Sequence, residues 1–195
     1  EQILSLKNIQ RLAKSLPKLL ALSITGGEPF LRRDLSKIVK AFAESGYLKS
    51  INIVSNGYQT KRICEGIKNI LKENPNLDLF LSISLDGENQ IHNTIRKKKD
   101  AYIKAINTIH ELSKLTKEND RLSIGVNSTY IGSNYLSIKN LYKELTNIKL
   151  NYISLNLVRG LTWKDRPKNI DIKEYRDLCR LKEDLTKNNN TKSSF

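Results

Sequence analysis

The sequence is poor in several residue types, and each shortage narrows the possible functions. It has no methionine and only two cysteines, Cys64 and Cys179, in 195 residues. Two distant cysteines form neither a disulfide framework nor a closely spaced thiolate site, so we expect a protein of the reducing cytoplasm. No apolar run approaches the ~20 residues of a membrane span, so we expect no membrane partner. Because methionine is missing even at position 1, we expect this sequence to be a piece of a longer protein.

Acidic residues are also scarce relative to basic ones. There are 20 Asp and Glu against 34 Lys and Arg, which gives a net charge of +14. Such an excess can indicate a nucleic-acid surface. The lysines, however, are spread over every helical segment and interleaved with acids, as on solvated helix faces. Only Arg96 to Lys99 form a run. We therefore interpret most of the basic residues as solvent-exposed positions on helix faces. An RNA-binding or RNA-modifying domain remains an alternative.

Several common chemical motifs are missing. The sequence contains neither the dinucleotide-binding GxGxxG nor the phosphate-binding GxxxxGK[ST]. His92 and His110 are too few and too isolated to predict a zinc site. No serine is accompanied by a nearby histidine and aspartate as in a hydrolase triad. The sequence alone predicts no metal ligands and identifies no catalytic residue.

The hydrophobic pattern alternates between strand and helix along the chain. Strands are expected near 19–25, 50–55, 78–85, 121–128 and 151–158, and helices near 2–16, 35–45, 60–73, 99–117, 134–147 and 171–187. Alternation of this kind, with long helical connections, is typical of βαβ units. The fold class is therefore predicted to be α/β, with a parallel sheet and outer helices.

Each predicted strand has one apolar face and one small or polar face. In the third, Leu79, Leu81 and Ile83 alternate with Phe80, Ser82 and Ser84. A closed eight-stranded barrel fills its interior with Val, Ile and Leu. Unpartnered buried hydroxyls cost ~1–3 kcal/mol each, so a polar interior must contain water or a ligand. This pattern predicts an open, partial barrel around a polar ligand. An antiparallel sheet with one wet face is the alternative, and the helical connections argue against it.

Small or polar residues also follow the strands at their carboxyl ends, where α/β proteins bind ligands. Two glycines, which lack Cβ atoms, would let a ligand lie against the backbone. Glu28 would add a negative charge suited to an amine, and Pro29 would turn the chain outward. The strand-end groups are Gly26-Gly27-Glu28-Pro29, Ser55-Asn56-Gly57, Ser84-Leu85-Asp86-Gly87, Asn127-Ser128-Thr129, and Asn156 near Arg159-Gly160.

The strings GGEPFLRRDL, SNG and SLDGENQIHNTIR occur in this order, each at a strand end. Together they resemble the radical S-adenosylmethionine (radical SAM) enzymes, and most of all the maturase and peptide-modifying (SPASM-type) members. The resemblance covers about residues 1–160. It implies a partial (β/α)6 TIM-like barrel that lacks its first strand. We expect this core to span residues 1–187, followed by a tail or linker at 188–195.

The resemblance also implies a cofactor site for S-adenosylmethionine. Its amino group would be held by the GGEP segment, its ribose by Ser84, its carboxylate by Arg96, and its adenine by backbone near Leu157. Ser55, Asn56 and Asn127 would line the same cavity, and His92 would serve as a structural cap. The full set of expected cofactor-binding residues is Gly26, Gly27, Glu28, Pro29, Ser55, Asn56, Ser84, Asp86, Arg96, Asn127 and Leu157.

The sequence departs from the family in one respect, because the CxxxCxxC motif that binds the 4Fe-4S cluster is absent. The cluster ligands are therefore expected outside this fragment, which alone should be inactive. In the family, the reduced cluster cleaves S-adenosylmethionine to a 5′-deoxyadenosyl radical, which abstracts a substrate hydrogen. The implied partners are a peptide or small-molecule substrate and a reductase or other electron donor. A cluster-free α/β-barrel metabolic enzyme is the remaining alternative.

Overall fold

The computed structural model describes residues 4–16, 18–44, 46–159 and 170–191, without the side chains of 188–191. Within these ranges no helix combines the length and apolarity needed to span a membrane. The strands are β1 (Ala21–Ile24), β2 (Ser50–Ser55), β3 (Asp78–Ser84), β4 (Leu122–Tyr130) and β5 (Tyr152–Leu157). The helices are α1 (Leu6–Ser15), α2 (Leu35–Ala43), α3 (Thr60–Glu73), α4 (Asn89–Arg96), α5 (Ala101–Glu118), α6 (Tyr135–Leu145) and α7 (Ile172–Thr191), with a short 3-10 helix at Pro29–Leu31.

The five strands form one sheet in the order β1-β2-β3-β4-β5, and every neighbouring pair is parallel. Parallel neighbours require crossover connections, which are right-handed in almost all proteins. In a sheet whose spatial order follows the sequence, such crossovers place the connecting helices on one face. The α/β class and the parallel sheet are thus confirmed, and the antiparallel alternative is wrong.

The hydrophobic core lies between the sheet and its helices. Strand residues such as Ile51, Ile53, Leu79, Leu81 and Ile83 are completely buried. They pack with inward-facing positions of the helices, among them Ile63, Ile67, Ile109 and Leu141. The apolar residues of the alternating strand pattern therefore lie on the face of the sheet that packs against the helices.

The opposite side of the sheet, here called the polar face, carries the small and polar strand residues. Ser23 on β1 is exposed, Asn52 on β2 is half-buried and Asn127 on β4 is half-buried. Ser84 and Asn127 are register partners, so they lie side by side on adjacent strands. This face is therefore the more polar and the more exposed of the two, as the sequence pattern predicts.

The amino-terminal half of the polar face is instead covered by aromatic rings. The rings of Phe80 and Tyr152 lie 6.3 Å apart between centroids. Tyr152 shares a hydrogen bond of 3.0 Å with the Ser82 hydroxyl, and burial raises the pKa of Tyr152 to about 12. A Cβ at Gly125 would lie 2.5 Å from this ring, so glycine is required for the ring to lie across β4. Gly125 therefore serves packing, not ligand contact.

Three features differ from the sequence-based expectations. The helix α4 precedes α5 as a separate element and ends at Arg96, whereas the sequence predicted no helix between residues 73 and 99. The helix α7 continues to Thr191, and residues 192–195 of the predicted tail lie outside the described residues. Finally, β1 and β5 are the edges of an open sheet within the described residues. Barrel closure is therefore not observed.

Candidate functional site

A cavity of about 270 Å³ lies at the carboxyl edge of the sheet. All strands run in the same direction, so the loops that follow them meet at this edge. Four of the predicted site residues line the cavity, namely Gly27, Glu28, Asn56 and Arg96. They come from the loops after β1 and β2 and from the end of α4. The other lining residues are Leu31, Tyr58, Gln59, Lys98 and Ala101.

The Glu28 carboxylate is held by hydrogen bonds from two strand ends. It accepts from the Ser55 hydroxyl at 3.0 Å, from the Asn56 amide at 2.8 Å and from the Phe30 amide at 3.2 Å. A carboxylate has about four acceptor sites, and the side chain still borders the cavity. Glu28 thus joins the β1 and β2 loops and leaves its charge at the cavity wall.

Gly27 lines the cavity, and Gly26 directly precedes it in the same loop. A Cβ built on Gly26 or Gly27 would meet no atom within 4 Å, so both face free space. Gly26 has φ +147°, a conformation that side-chain-bearing residues rarely adopt. The following Pro29 is buried in the short 3-10 helix. Pro29 and Ser55, which is 1% exposed, therefore shape the loops without lining the cavity.

Arg96 reaches the cavity from the end of α4 and is anchored by a buried carboxylate. Its Nη2 lies 2.7 Å from Asp86 Oδ2, and the Asp86 side chain is almost wholly buried. Asp86 Oδ1 also accepts a hydrogen bond from the Thr129 amide at 3.0 Å. Arg96 Nε is buried without a hydrogen-bond partner among the described residues. The guanidinium is therefore fixed in place and retains an unsatisfied donor.

The buried side chain of His92 holds the backbone of Asp86 in place through a hydrogen bond. The Asp86 amide donates to His92 Nδ1 at 3.1 Å, and His92 is fully buried. Burial lowers the pKa of His92 to about 4; the Asp86 charge opposes this shift and the Arg96 charge reinforces it. The imidazole is therefore neutral at pH 7 and carries its proton on Nε2. This arrangement agrees with the expected structural role of His92.

The remaining predicted residues lie outside the cavity lining. Ser84 is buried at the end of β3 beside Asn127, and its hydroxyl makes no hydrogen bond to the described residues. Asn127 Oδ1 accepts from Asn156 Nδ2 at 2.6 Å, which leaves its own amide donors free. Leu157 ends β5 with 39% of its surface exposed. Gly160, expected at the same strand end, lies outside the described residues.

Five cavity residues were not anticipated from the sequence. Tyr58 and Gln59 directly follow the SNG string, so extending that motif by two residues would have included them. Tyr58 donates a hydrogen bond of 2.8 Å to Asp100, and this contact raises the pKa of Tyr58. Lys98 places its Nζ 4.8 Å from the centre of the Tyr58 ring. Its position in a basic run gave no sign that it faces the site.

A 4Fe-4S cluster is held by several thiolate donors that lie close together. No group of three His, Cys, Asp or Glu residues that could hold a metal ion occurs among the described residues. Cys64 lies on α3 and Cys179 lies on α7. Burial raises the pKa of the Cys64 thiol, which disfavours its thiolate. The side chains described here do not fit the ligand set of such a cluster.

Comparison with curated proteins gives partial relatives, whereas no family model matches the chain. The GTP 3′,8-cyclase of Actinobacillus pleuropneumoniae (strain L20) is 29% identical over 103 residues, or 49% of this chain and 30% of that relative. The GTP 3′,8-cyclase of Marinobacter nauticus is 30% identical over 116 residues, or 54% of this chain and 35% of that relative. The matched segment thus spans about a third of the curated relatives.

Solved structures resemble the chain over almost its whole length. SuiB of Streptococcus suis, bound to S-adenosylmethionine, has a TM-score of 0.66 and 20% identity over 93% of this chain and 39% of its own. The enzyme anSMEcpe with bound AdoMet has a TM-score of 0.64 and 18% identity over 91% of this chain and 49% of its own. These neighbours are radical SAM enzymes. In sequence motifs and in fold, the chain is therefore similar to the radical SAM enzymes.

Proposed function

We propose that this chain is the cofactor-binding part of a radical SAM enzyme and that its cavity binds S-adenosylmethionine. The observation that carries the proposal is the convergence of Gly27, Glu28, Asn56 and Arg96 on one cavity. These residues are distant in sequence and belong to three separate strand-end motifs. Two structural neighbours, SuiB and anSMEcpe, are bound to this cofactor.

Arg96 is suited to the carboxylate of the methionine part. A guanidinium binds a carboxylate through charge-assisted hydrogen bonds. Asp86 takes one Nη2 contact, while the Nε donor has no protein partner among the described residues. The Arg96 side chain is 34% exposed and borders the cavity, so its accessible N–H groups can donate to a ligand carboxylate. The contacts of Arg96 therefore support this role together with the motif.

The glycine pair and Glu28 are suited to the ammonium group. No atom would meet a Cβ at Gly26 or Gly27, so a ligand could lie against the backbone there. Glu28 supplies a negative charge on the same wall. Opposite charges on Arg96 and Glu28 would orient the amino-acid end of the cofactor within the cavity.

The nucleoside would extend beyond the cavity, across the polar face. At about 270 Å³, the cavity falls just below the ~300–1,000 Å³ of typical ligand pockets. The free hydroxyl of Ser84 and the free amide donors of Asn127 lie beside each other on β3 and β4. We assign Ser84 to the ribose, Asn127 to the lining, and the backbone at Leu157 to the adenine. The sheet would then form five strands of a partial barrel.

When bound and cleaved, this cofactor supplies a 5′-deoxyadenosyl radical for hydrogen abstraction. Cluster ligands would have to come from outside the described residues, since no suitable donor group occurs among them. The part of the chain described here would bind and orient the cofactor and limit its contact with water. The substrate of the enzyme would be a peptide or a small molecule.

The test compares binding of S-adenosylmethionine with binding of its decarboxylated analogue by isothermal titration calorimetry. We expect the parent chain to prefer S-adenosylmethionine by roughly tenfold or more, as for a charge-assisted contact. Arg96→Gln should abolish this preference while retaining affinity for the analogue. Arg176→Gln, at an exposed position on α7, is the matched control and should keep the preference. Equal binding of the two ligands to the parent chain would refute the assignment of Arg96.

A further inference from the structure

A second, larger depression lies beside the cofactor cavity. Its volume is about 570 Å³. We call it the lysine groove, and it is lined by Asn89, Gln90, Asn93, Thr94, Lys97, Lys98 and Lys99. No carboxylate is among these lining residues, although the chain has 20 acidic residues. Lys98 lines both the groove and the cofactor cavity, so the two depressions adjoin.

The three lysines lie on the loop between α4 and α5, and hydrogen bonds attach this loop to α4. The Asn93 side chain donates to the Lys99 carbonyl at 2.7 Å and accepts from the Tyr102 amide at 2.8 Å. The Lys98 amide donates to the Asn93 carbonyl at 3.0 Å. Asn93 therefore fixes the turn between α4 and α5, and with it the positions from which the three lysines project.

The loop also contains an energetically unfavourable residue. Lys97 has φ +54°, and it is the one non-glycine residue with positive φ in the described ranges. Helices commonly end in this conformation, but glycine is the residue that adopts it without strain. Strained residues tend to occur at functional sites. Lys97 therefore projects from a helix end whose backbone is held in a fixed conformation.

The charges of the groove are not compensated by the protein. Within the described part of the chain, none of the three lysines forms an ion pair. Lys98 Nζ lies 4.8 Å from the centre of the Tyr58 ring, but no carboxylate of the described residues pairs with any of the three ammonium groups, which therefore repel one another. The side-chain oxygen Oδ1 of Asn89 accepts from Asn93 Nδ2, so the Asn89 side chain has its amide donors left for the groove. The groove is thus rich in donors and positive charge.

From these contacts we infer that the lysine groove binds a multiply charged oxyanion, such as a phosphoryl chain or a cluster of carboxylates. Lysine ammonium groups act as point charges that suit such groups. Because Lys98 connects the groove to the cavity, the oxyanion would belong to the substrate of the adjacent site. That last step rests on the proposed function, whereas anion binding itself does not.

The experiment titrates the whole chain with inorganic tripolyphosphate and, separately, with a hexaglutamate peptide, at constant ionic strength. The test variant is Lys97→Gln combined with Lys99→Gln, which leaves Lys98 in the cofactor cavity. The matched control is Lys104→Gln combined with Lys117→Gln, two exposed lysines of α5 with the same loss of charge. We expect the test variant to bind the preferred probe roughly tenfold more weakly, and the control to match the parent.

The two probes distinguish the sources of the anion. Binding of tripolyphosphate alone assigns the groove to phosphoryl groups, and binding of hexaglutamate alone assigns it to carboxylates. Equal weakening in the test and control variants would show a nonspecific charge effect and overturn the inference, as would failure of both probes to bind the parent. S-adenosylmethionine binding, measured in parallel, should be unchanged in both variants. Its absence in the parent would refute the proposed function without affecting the result for the groove.

Discussion

Lowering the pH should destabilise this protein through His92. The imidazole is fully buried, and its Nδ1 accepts a hydrogen bond from the Asp86 amide. Burial lowers its pKa from the ordinary 6.5 to about 4. In this pH interval the unfolded chain binds a proton that the folded chain excludes. Stability is therefore complete above the unfolded pKa and falls as the pH drops toward the folded one.

The size of the effect follows from the two pKa values. The gap between them corresponds to about 3 kcal/mol when fully developed. Between about pH 7.5 and about pH 5, where most carboxylates remain ionised, the His92 share of the loss is about 2 kcal/mol. The measurement is the free energy of unfolding in urea at these two pH values. His92→Gln removes the titrating group and should lose about 2 kcal/mol less over the same interval.

The matched control is His110→Gln, because His110 is the other histidine of the chain and lies exposed on α5. This variant should retain the full pH dependence of the parent. If His92→Gln folds too poorly to be measured, the Cε1 proton resonance of His92 in the parent gives the pKa directly. An ordinary titration near pH 6.5, or the same pH dependence in parent and His92→Gln, would refute the reasoning.

Three further outcomes follow from the same contacts. Gly125→Ala should lower the free energy of unfolding by about 1–3 kcal/mol, because the added Cβ would overlap Tyr152; an unchanged urea midpoint would contradict this. Gly27→Ala should leave stability nearly unchanged, since no atom lies within 4 Å of its Cβ position, but should weaken S-adenosylmethionine binding measured by calorimetry. Asp86→Asn should weaken that binding and spare the decarboxylated analogue, because it removes the charge that holds Arg96 at 2.7 Å; equal losses for both ligands would argue against it.

The order and type of most elements could be predicted from the sequence, because helical and strand periodicities are local properties. The strands at Ser50–Ser55 and Tyr152–Leu157 fall where the alternating pattern places them. The helix α4 (Asn89–Arg96) was missed because it is short and lies within a segment already assigned to a motif. Arg96 therefore lies at the end of a helix that the sequence pattern did not predict.

The site could be predicted only as a set of strand-end motifs. Glycine, serine and asparagine after each strand indicated the binding edge, since parallel strands end at the same side of a sheet. The motifs did not reveal that the Glu28 carboxylate binds Ser55 and the Asn56 amide. Nor did they reveal that Lys98 faces the cavity. These contacts join residues from different loops.

By itself the sequence determined the α/β class, the division of the strands into an apolar and a polar face, and the edge at which ligands should bind. These properties depend on the spacing of residues along the chain, which is visible without coordinates. The tertiary structure decided which residues are in contact. Examples are the ion pair between Asp86 and Arg96 and the packing of the Tyr152 ring on Gly125. Such contacts depend on strand register and on the paths of the crossovers, which no local pattern specifies.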